Sequence, residues 1–360
     1  MKKIFTTIFL LITAIIPLCL CLTFLCAYIS PTTLWMPGII ALGFPLFLFL
    51  SAIFGFYYLF RLKKRAIIFF AAILLNIPNI IHYIRLAVPA QEASEQYKIK
   101  VLSYNVNLFD FYAQADKKNA IRNKILDFIP DTKADIVCLQ EYYEMKDGSF
   151  SIAASLAKNN YIYHTKRSEN KKAYYGNVIY SRFPIIEEGY VGDFACYADI
   201  LVSKKDTIRV FSMHLYSNKL SKDDHRFYNN AISGKETTDY TEGTSKILSK
   251  IRLSASIRQK QISILLKSVS ETPYRVILCG DMNETPISYS YNQFAKISDD
   301  VFLDWGSGTS STYNGIFPAY RIDYIFYRTG LTSGRNLKAV YYNRYSVKYS
   351  DHFPITAAFN

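Results

Sequence analysis

Apolar residues are concentrated near the N-terminus, in three long stretches that contain no acidic residue. They cover residues 4–29, 34–60 and 66–84, and each is near the roughly 20 residues that a helix needs to cross about 30 Å of hydrocarbon. Because backbone polar groups in lipid must be hydrogen-bonded within the segment, we expect three transmembrane helices. Pro17, Pro45 and Pro78 fall inside these stretches, where kinks at proline are tolerated.

Strand and helix patterns alternate after residue 97, which predicts an α+β catalytic domain over residues 98–360. A polar linker over residues 88–97 separates it from the membrane anchor, residues 1–87. Helices are predicted over residues 119–129 and 245–269, and the loop over residues 216–243 is long enough to be mobile or to contact substrate. The predicted strands cover residues 98–106, 135–139, 161–165, 176–181, 198–203, 207–214, 274–279, 321–327 and 355–359.

The distribution of charge predicts the orientation in the membrane. Residues 1–87 carry seven basic and no acidic residues, whereas the remainder carries 35 basic and 29 acidic residues, a net charge of +6. Lys2 and Lys3 precede the first stretch, and the basic segment 61–65 separates the second stretch from the third. Cytoplasmic loops are enriched in Lys and Arg, so both segments should be cytoplasmic. We therefore expect an integral protein of the inner or plasma membrane with an extracytoplasmic catalytic domain, although Arg85 argues against this orientation.

A cleaved signal peptide is the alternative explanation of the first apolar stretch, because Lys2 and Lys3 provide a suitable basic start. Its apolar run is longer than the usual core of roughly 7–15 residues, and two further stretches follow it. The pattern therefore favours a membrane anchor.

The six cysteines do not form a disulfide framework. Three lie in the first apolar stretch, and Cys138, Cys196 and Cys279 are far apart in the remainder. Cys138 and Cys279 lie in apolar runs that predict buried strands, so we expect them to be small core residues. Their spacing does not resemble a zinc site.

Polar side chains stand at or beside the ends of several predicted strands. Each alone has a plainer explanation, because a strand-end Asp commonly caps a turn and a histidine commonly lies satisfied in a core. Together they form a candidate set for chemistry: Asn105, Asn107, Glu141, His214, Asp281, Asn283, Asp323, Asp351 and His352.

In chain order, this set resembles the endonuclease/exonuclease/phosphatase superfamily, which includes pancreatic deoxyribonuclease, abasic-site endonucleases, neutral sphingomyelinases and inositol polyphosphate 5-phosphatases. The resemblance runs from about Lys98 to Phe359, and its most specific blocks are Gly280-Asp-Met-Asn283 and Ser350-Asp-His352. It implies a four-layer α/β/β/α sandwich of two mixed β-sheets, preceded here by three transmembrane helices, with the site at one end of the sheets.

Hydrolysis of a phosphate ester requires a cation on the phosphoryl oxygens, a positioned water and donors for the developing charge. Glu141 is the best candidate ligand for Mg²⁺, with Mn²⁺ as the alternative, because a hard cation takes oxygen ligands and needs only one or two carboxylates. Asn105 and Asn107 would extend the metal or phosphate shell, and Asp351 would support the metal shell. Many members of the superfamily carry Asp where this chain has Asn107, which weakens the case for a second ligand there.

The resemblance also implies catalytic roles. Asp281 would orient and deprotonate the attacking water, and Asn283 would donate to a phosphoryl oxygen. His352, hydrogen-bonded to Asp323, would contact the phosphate in its cationic form. His214 would be a second phosphate-contacting or proton-donating histidine. The identity of the general base and the number of metal ions stay open.

Three functions compete. A domain tethered at the lipid bilayer and carrying a modest positive charge favours a phospholipid or another small phosphate ester as substrate. A nuclease would direct the same charge at a nucleic-acid backbone, but no nucleic-acid-binding motif accompanies it. The third alternative is a membrane-held scaffold that binds phosphate without cleaving it, and the presence of the whole candidate set argues against it.

Overall fold

The computed structural model describes residues 2–86, 97–112, 115–165, 168–219, 223–224, 240–315, 320–329 and 337–360. Nearly all of the predicted linker, and most of the predicted loop over residues 216–243, lie outside the described residues. By its contacts the chain divides into two compact units. The first contains residues 1–84, 218–259 and 285–293, and the second contains residues 85–217, 260–284 and 294–360.

Five helices form the N-terminal part of the first unit. They are α1 (Lys2–Cys26), α2 (Met36–Leu42), α3 (Phe44–Phe60), α4 (Ala66–Leu75) and α5 (Ile77–Tyr83). Helix α1 is long and apolar enough to cross a membrane. The pairs α2–α3 and α4–α5 are bent by 68° and 58°. If each bent pair counts as one span, the described residues contain up to three candidate membrane spans.

Proline explains both bends. Pro45 and Pro78 stand in the first turns of α3 and α5. A proline has no N–H to donate and its ring clashes with the carbonyl four residues earlier, so a helix breaks just before it. The second break is at Asn76, whose buried Nδ2 donates to the carbonyl oxygens of Leu20 (2.9 Å) and Ala72 (3.0 Å). The amide therefore satisfies backbone acceptors at the break and joins α1 to α4.

Two β-sheets form the second unit. The first sheet has the strand order β12-β13-β1-β2-β5-β3, with β4 also paired to β5, and the second has the order β10-β11-β9-β8-β7-β6. Each sheet is mixed, because β1–β2 and β8–β9 are parallel and the other pairs are antiparallel. The strands are β1 (Ile99–Asn105), β2 (Ile136–Met145), β3 (Tyr163–His164), β4 (Ser168–Glu169), β5 (Ala173–Ser181), β6 (Ile185–Val191), β7 (Ala195–Ser203), β8 (Asp206–His214), β9 (Arg275–Asp281), β10 (Asp299–Asp300), β11 (Asp323–Arg328), β12 (Ala339–Arg344) and β13 (Ile355–Phe359).

The remaining described helices are α6 (Ala115–Asp131), α7 (Ala153–Ala157), α8 (Tyr240–Glu271), α9 (Tyr289–Ala295) and α10 (Val301–Trp305). All the predicted strands and both predicted helices are present, and β2 and α8 are longer than predicted. The short strands β4 and β10, the strands β6 and β12, and the helices α7, α9 and α10 were not predicted.

The central strands are buried on both faces. Successive side chains of a strand point to opposite faces, and each face is covered by a different layer. Val101 of β1 and Cys138 of β2 join Ile277 of β9 in the core between the sheets. Their neighbours along each strand, Leu102 and Val137, turn to the opposite face, where residues of α6 cover them. Cys138, Cys196 and Cys279 are buried and free. The predicted sandwich of two mixed sheets is confirmed.

Candidate active site

Strand register places the candidate residues in two rows. In the second sheet His214 is paired with Asp281, and Asp281 is paired with Asp323 on its other side. β11 runs antiparallel to β9, so it begins where β9 ends. In the first sheet the parallel pairing of β1 and β2 places Asn105 opposite Gln140, next to Glu141.

Asn105 joins the two rows. Its Nδ2 donates to Glu141 Oε1 (3.2 Å) and to Asp281 Oδ2 (3.1 Å), and its Oδ1 accepts from the backbone N–H of Asn107 (3.0 Å). Both amide protons of Asn105 are therefore used between two carboxylates. In this arrangement Asn105 holds the carboxylates apart and has no donor left for a phosphate.

Glu141 lies in a β-bulge. The pairing of β2 with β5 shifts between Leu139 and Tyr142, and Glu141 has a φ of 49°, in the left-handed region that side chains other than glycine rarely adopt. The side chain is 30% exposed, unlike those of its strand neighbours. A bulge re-aims a side chain, so strained backbone at this position is consistent with a functional role.

Gly280 is required by close packing. Its φ is 138°, and a Cβ at this position would lie 1.9 Å from the carbonyl oxygen of Met213 on β8. Only glycine allows β8 and β9 to approach this closely just before Asp281. The close approach of β8 therefore explains why the Gly280-Asp-Met-Asn283 block begins with glycine.

Asp281 is buried at the centre of the cluster. Its Oδ1 accepts from the backbone N–H of Asn283 (2.7 Å). Burial, opposed by His352 and reinforced by Asp323, raises the pKa of Asp281 to about 6. The carboxyl group is therefore mostly ionised at neutral pH, and its pKa is close to the value that suits a general base.

Asn283 orients Asp281. Its Nδ2 donates to Leu215 O (2.9 Å) and to Asp281 Oδ2 (3.3 Å), so both amide protons are engaged. To bind a phosphoryl oxygen, as the sequence suggested, Asn283 would have to release one of these bonds. That role stays a prediction.

His352 and Asp323 form a buried pair. Nδ1 of His352 lies 2.9 Å from Oδ2 of Asp323, and the two side chains are 6% and 3% exposed. Burial alone would lower the pKa of His352, but the charges of Asp323 and Asp281 outweigh it and raise the pKa to about 10. His352 is therefore an imidazolium at neutral pH, with Nε2 3.7 Å from Asp281 Oδ2.

His214 faces both rows without a hydrogen bond. Its Nε2 lies 3.5 Å from Glu141 Oε1 and 3.7 Å from Asp281 Oδ2, and it is buried with no hydrogen-bond partner in the described chain. A buried, unpartnered polar atom between two carboxylates commonly marks the position of a water or an ion.

Asp351 lies close enough to Glu141 for the two carboxylates to interact. Burial raises the pKa of Asp351, the charge of His352 opposes this, and the charge of Glu141 raises the pKa further. A cation near both carboxylates would relieve this repulsion, and carboxylate oxygens suit a hard divalent ion. The donor set therefore fits a metal at Glu141 and Asp351. The side chain of Asn107 makes no hydrogen bond to the other candidate residues, all of which the structure describes.

A second acidic group is less suited to a metal. Ligating atoms of Asp281, Asp323 and His352 lie within 4.8 Å of one another. A histidine coordinates a metal through a free ring nitrogen, whereas Nδ1 of His352 is already paired with Asp323 at 2.9 Å. These three residues fit a proton-handling role better.

Three residues outside the predicted set support the site. Ser350 Oγ donates to Asn105 O (2.8 Å) and accepts from the His352 N–H (3.2 Å). Thr312 Oγ1 accepts from the Asp323 N–H (3.0 Å), and the Tyr313 ring packs edge-on to His352 at 5.3 Å. The Ser350-Asp-His352 block could have indicated Ser350, but no sequence signal marks Thr312 or Tyr313.

Known families and structures resemble parts of this chain. Residues 102–352 match the model of the Endonuclease/Exonuclease/phosphatase family, and residues 3–83 match a domain of unknown function (DUF8431). No curated protein matches the chain significantly.

Three solved structures illustrate the structural similarity. D. rerio TDP2 complexed with a single-strand DNA product is 17% identical, covering 73% of this chain and 98% of that chain, with a TM-score of 0.48. Sphingomyelinase C from Streptomyces griseocarneus is 17% identical, covering 73% and 99%, with a TM-score of 0.46. An endonuclease/exonuclease/phosphatase from Beutenbergia cavernae is 16% identical, covering 72% and 71%, with a TM-score of 0.48.

Proposed function

The chain belongs to the endonuclease/exonuclease/phosphatase family, whose members hydrolyse phosphate esters, and we propose that it is a membrane-anchored, Mg²⁺-dependent enzyme acting on a phospholipid or another small phosphate ester. One observation carries the chemistry: Asp281 Oδ2 lies 3.1 Å from Asn105 and 3.7 Å from the ring nitrogens of both His214 and His352. A carboxylate base thus lies between two histidines, and the candidate ligand Glu141 lies 3.5 Å from one of them, His214.

Proton handling follows from the charges. Asp281, held by the Asn283 N–H, accepts the proton of the attacking water. His352, kept cationic by Asp323, stabilises negative charge that develops on the phosphoryl group. His214 has a ring nitrogen without a hydrogen bond in the described chain, so it is available for a phosphoryl or leaving-group oxygen.

Enzymes of this family generally use a divalent metal ion, and in this chain Glu141 and Asp351 would hold it, with Asn107 as a further candidate. When bound, the ion polarises the phosphoryl oxygens and offsets their charge. The repulsion between the carboxylates of Glu141 and Asp351 supports this assignment. Oxygen donors favour Mg²⁺, with Mn²⁺ as the alternative.

The preference for a lipid or small phosphate ester rests on the membrane helix and on the modest positive charge. Action on nucleic acid is the second candidate, since the same charge would also attract a phosphate backbone. An inactive scaffold would not require the ring nitrogens of His214 and His352 to lie 3.7 Å from the Asp281 carboxylate, so the geometry argues against it.

The full-length protein in lipid nanodiscs is expected to hydrolyse phospholipid or inositol phosphate with Mg²⁺ and to lose activity in EDTA. Because the cation contributes several kcal/mol, chelation should lower the rate at least about 100-fold. The measurement is product release from phospholipid vesicles, soluble inositol phosphates and duplex DNA. Cleavage of DNA alone would establish the nuclease alternative, and full activity in EDTA would exclude the metal.

A reporter that is active only outside the cytoplasm should be active when fused at Asn360 and inactive when inserted in residues 61–65. The reason is the basic character of Lys2, Lys3 and residues 61–65, together with the three crossings expected from the apolar stretches. The pair of insertions is its own control, because the two sites should give opposite results. Cytoplasmic reporting from Asn360 would overturn the orientation.

A further inference from the structure

An open groove in the first unit lies between Trp35, in the connection from α1 to α2, and the first half of α8. Its volume is about 490 Å³. The lining residues on α8 recur every three or four positions, so they lie along one face of the helix. They are Thr241, Thr244, Ser245, Leu248, Ser249 and Arg252. All of these residues belong to the compact unit that contains the membrane helices.

Contacts within this unit place the groove beside the end of α1. Gln259 Oε1, on α8, accepts from Ser30 Oγ (2.6 Å) and from the Thr32 N–H (3.3 Å), in the connection that follows α1. The guanidinium of Arg252 lies 5.8 Å from the centre of the Trp35 ring. Trp35 directly precedes α2, and tryptophan is enriched where membrane helices meet water. The groove therefore lies where the helices of this unit would leave the hydrocarbon.

The groove offers positive charge without a carboxylate. Among its lining residues, Arg252 alone is charged. Two other basic residues on this half of α8 are engaged, because Lys250 pairs with Asp224 and Arg258 donates to Asn218 (3.1 Å). Arg252 is exposed and forms no ion pair or hydrogen bond in the part of the chain that the structure describes. A guanidinium in this state can bind a phosphate through two parallel hydrogen bonds.

Hydroxyl groups and apolar surface complete the groove. The side-chain hydroxyls of Thr244 and Ser245 are exposed and form no hydrogen bond among the described residues. They can donate to phosphate or glycerol oxygens. Leu248 and Trp35 are half-buried and add apolar surface. One cation, hydroxyl donors and apolar side chains beside a membrane helix match the headgroup and first acyl carbons of a phospholipid.

We propose that this groove binds the headgroup phosphate of an anionic phospholipid from the surrounding bilayer, with Arg252 as the phosphate ligand. An anionic lipid fits better than a zwitterionic one, because the groove has no carboxylate for a headgroup cation. The inference rests on the membrane anchoring in the proposed function but requires no hydrolysis.

The test measures the lipid bound to full-length protein in detergent micelles, by native mass spectrometry during a titration with phosphatidylglycerol. Arg252→Gln should raise the Kd about 10-fold, because loss of a charge-assisted hydrogen bond weakens binding by about that factor. Phosphatidylcholine should bind the parent more weakly than phosphatidylglycerol does. The melting temperature of Arg252→Gln should equal that of the parent, since Arg252 is exposed and has no ionic partner among the described residues.

Lys246→Gln is the matched control. Lys246 is an exposed basic residue on the same half of α8, but it does not line the groove. Its variant should bind phosphatidylglycerol with the parent Kd. Parent-like affinity in Arg252→Gln would overturn the inference. Equal losses in both variants would also overturn it, because they would indicate attraction by the charge of the helix and no defined site.

Glycerol phosphate distinguishes a lipid site from a site for a soluble phosphate ester. At the concentration of the lipid it should not displace phosphatidylglycerol, because it has no acyl chains to contact Trp35 and Leu248. Displacement would overturn the assignment to a membrane lipid. A parent chain that purifies without detergent would contradict the membrane anchor itself, whereas a detergent-dependent chain that binds no anionic lipid would overturn the groove alone.

Discussion

Glu141→Gln is expected to lower kcat/KM about 100-fold, as chelation does, because a bound cation contributes several kcal/mol and each 1.4 kcal/mol is tenfold in rate. The substitution keeps the shape of the side chain in its bulge but removes the charge that would hold the metal. Affinity for Mn²⁺, measured by electron paramagnetic resonance, should fall in parallel.

The fold should survive this change, because Glu141 is partly exposed and its charge opposes that of Asp351. Glu187→Gln is the control: Glu187 is an exposed carboxylate on β6 that forms an ion pair of 4.0 Å with Arg209. It should retain parent activity and Mn²⁺ affinity. A Glu141→Gln variant that binds Mn²⁺ like the parent would show that the metal ligands lie elsewhere.

Strands in the centre of each sheet were predictable because both of their faces are buried. β2 and β9 carry continuous apolar runs, and β1 and β8 are apolar apart from single polar residues, so their ends, and the polar residues there, could be read from sequence. Parallel neighbours end at the same edge of a sheet, and this brings Asn105 beside Glu141 and His214 beside Asp281.

The edge strands β6 and β12 were not predicted, for the opposite reason. β6 and β12 each stand at one end of a sheet, have one neighbour, and are largely half-exposed. β6 also contains two adjacent Glu residues and a Gly, which lack the alternation of a half-buried strand. Packing against the neighbouring strand, rather than local preference, decides their structure.

Details of the site depended on tertiary geometry. The predicted strand ended at Leu139, so the bulge that re-aims Glu141 was invisible in the sequence pattern. The amides of Asn105 and Asn283 were predicted to reach a metal or phosphate, but in the structure they bond the carboxylates and a carbonyl. These bonds depend on distances between residues far apart in sequence, such as Asn105 and Asp281.

Asp323→Asn should lower the pKa of His352 from about 10, because it removes the carboxylate that most strongly favours the imidazolium. Since His352 acts in its protonated form, kcat/KM falls as pH rises through its pKa. The parent should therefore lose activity only near pH 10, whereas Asp323→Asn should lose it at lower pH. A pH profile of kcat/KM measures the shift.

Asp199→Asn is the control for loss of a buried, paired carboxylate. Asp199 is buried and accepts from Arg209 Nε (2.6 Å) and Nη2 (2.7 Å), in the same sheet but outside the candidate set. Removing its charge should lower the melting temperature, because it leaves the Arg209 cation without its buried carboxylate partner. The pH at which activity is lost should not move, which separates general destabilisation from an effect on His352.

The double variant Asp323→Asn/His352→Ala should be scarcely slower than His352→Ala alone, because losses from residues that act as a unit do not add. Each single variant should fall about 10²-fold or more in kcat/KM, as expected for a positioned acid–base group. The comparison requires all four proteins at one pH near 7, where the parent His352 is cationic. If the two losses multiply, Asp323 and His352 act independently, and the 2.9 Å contact between them is structural and not part of catalysis.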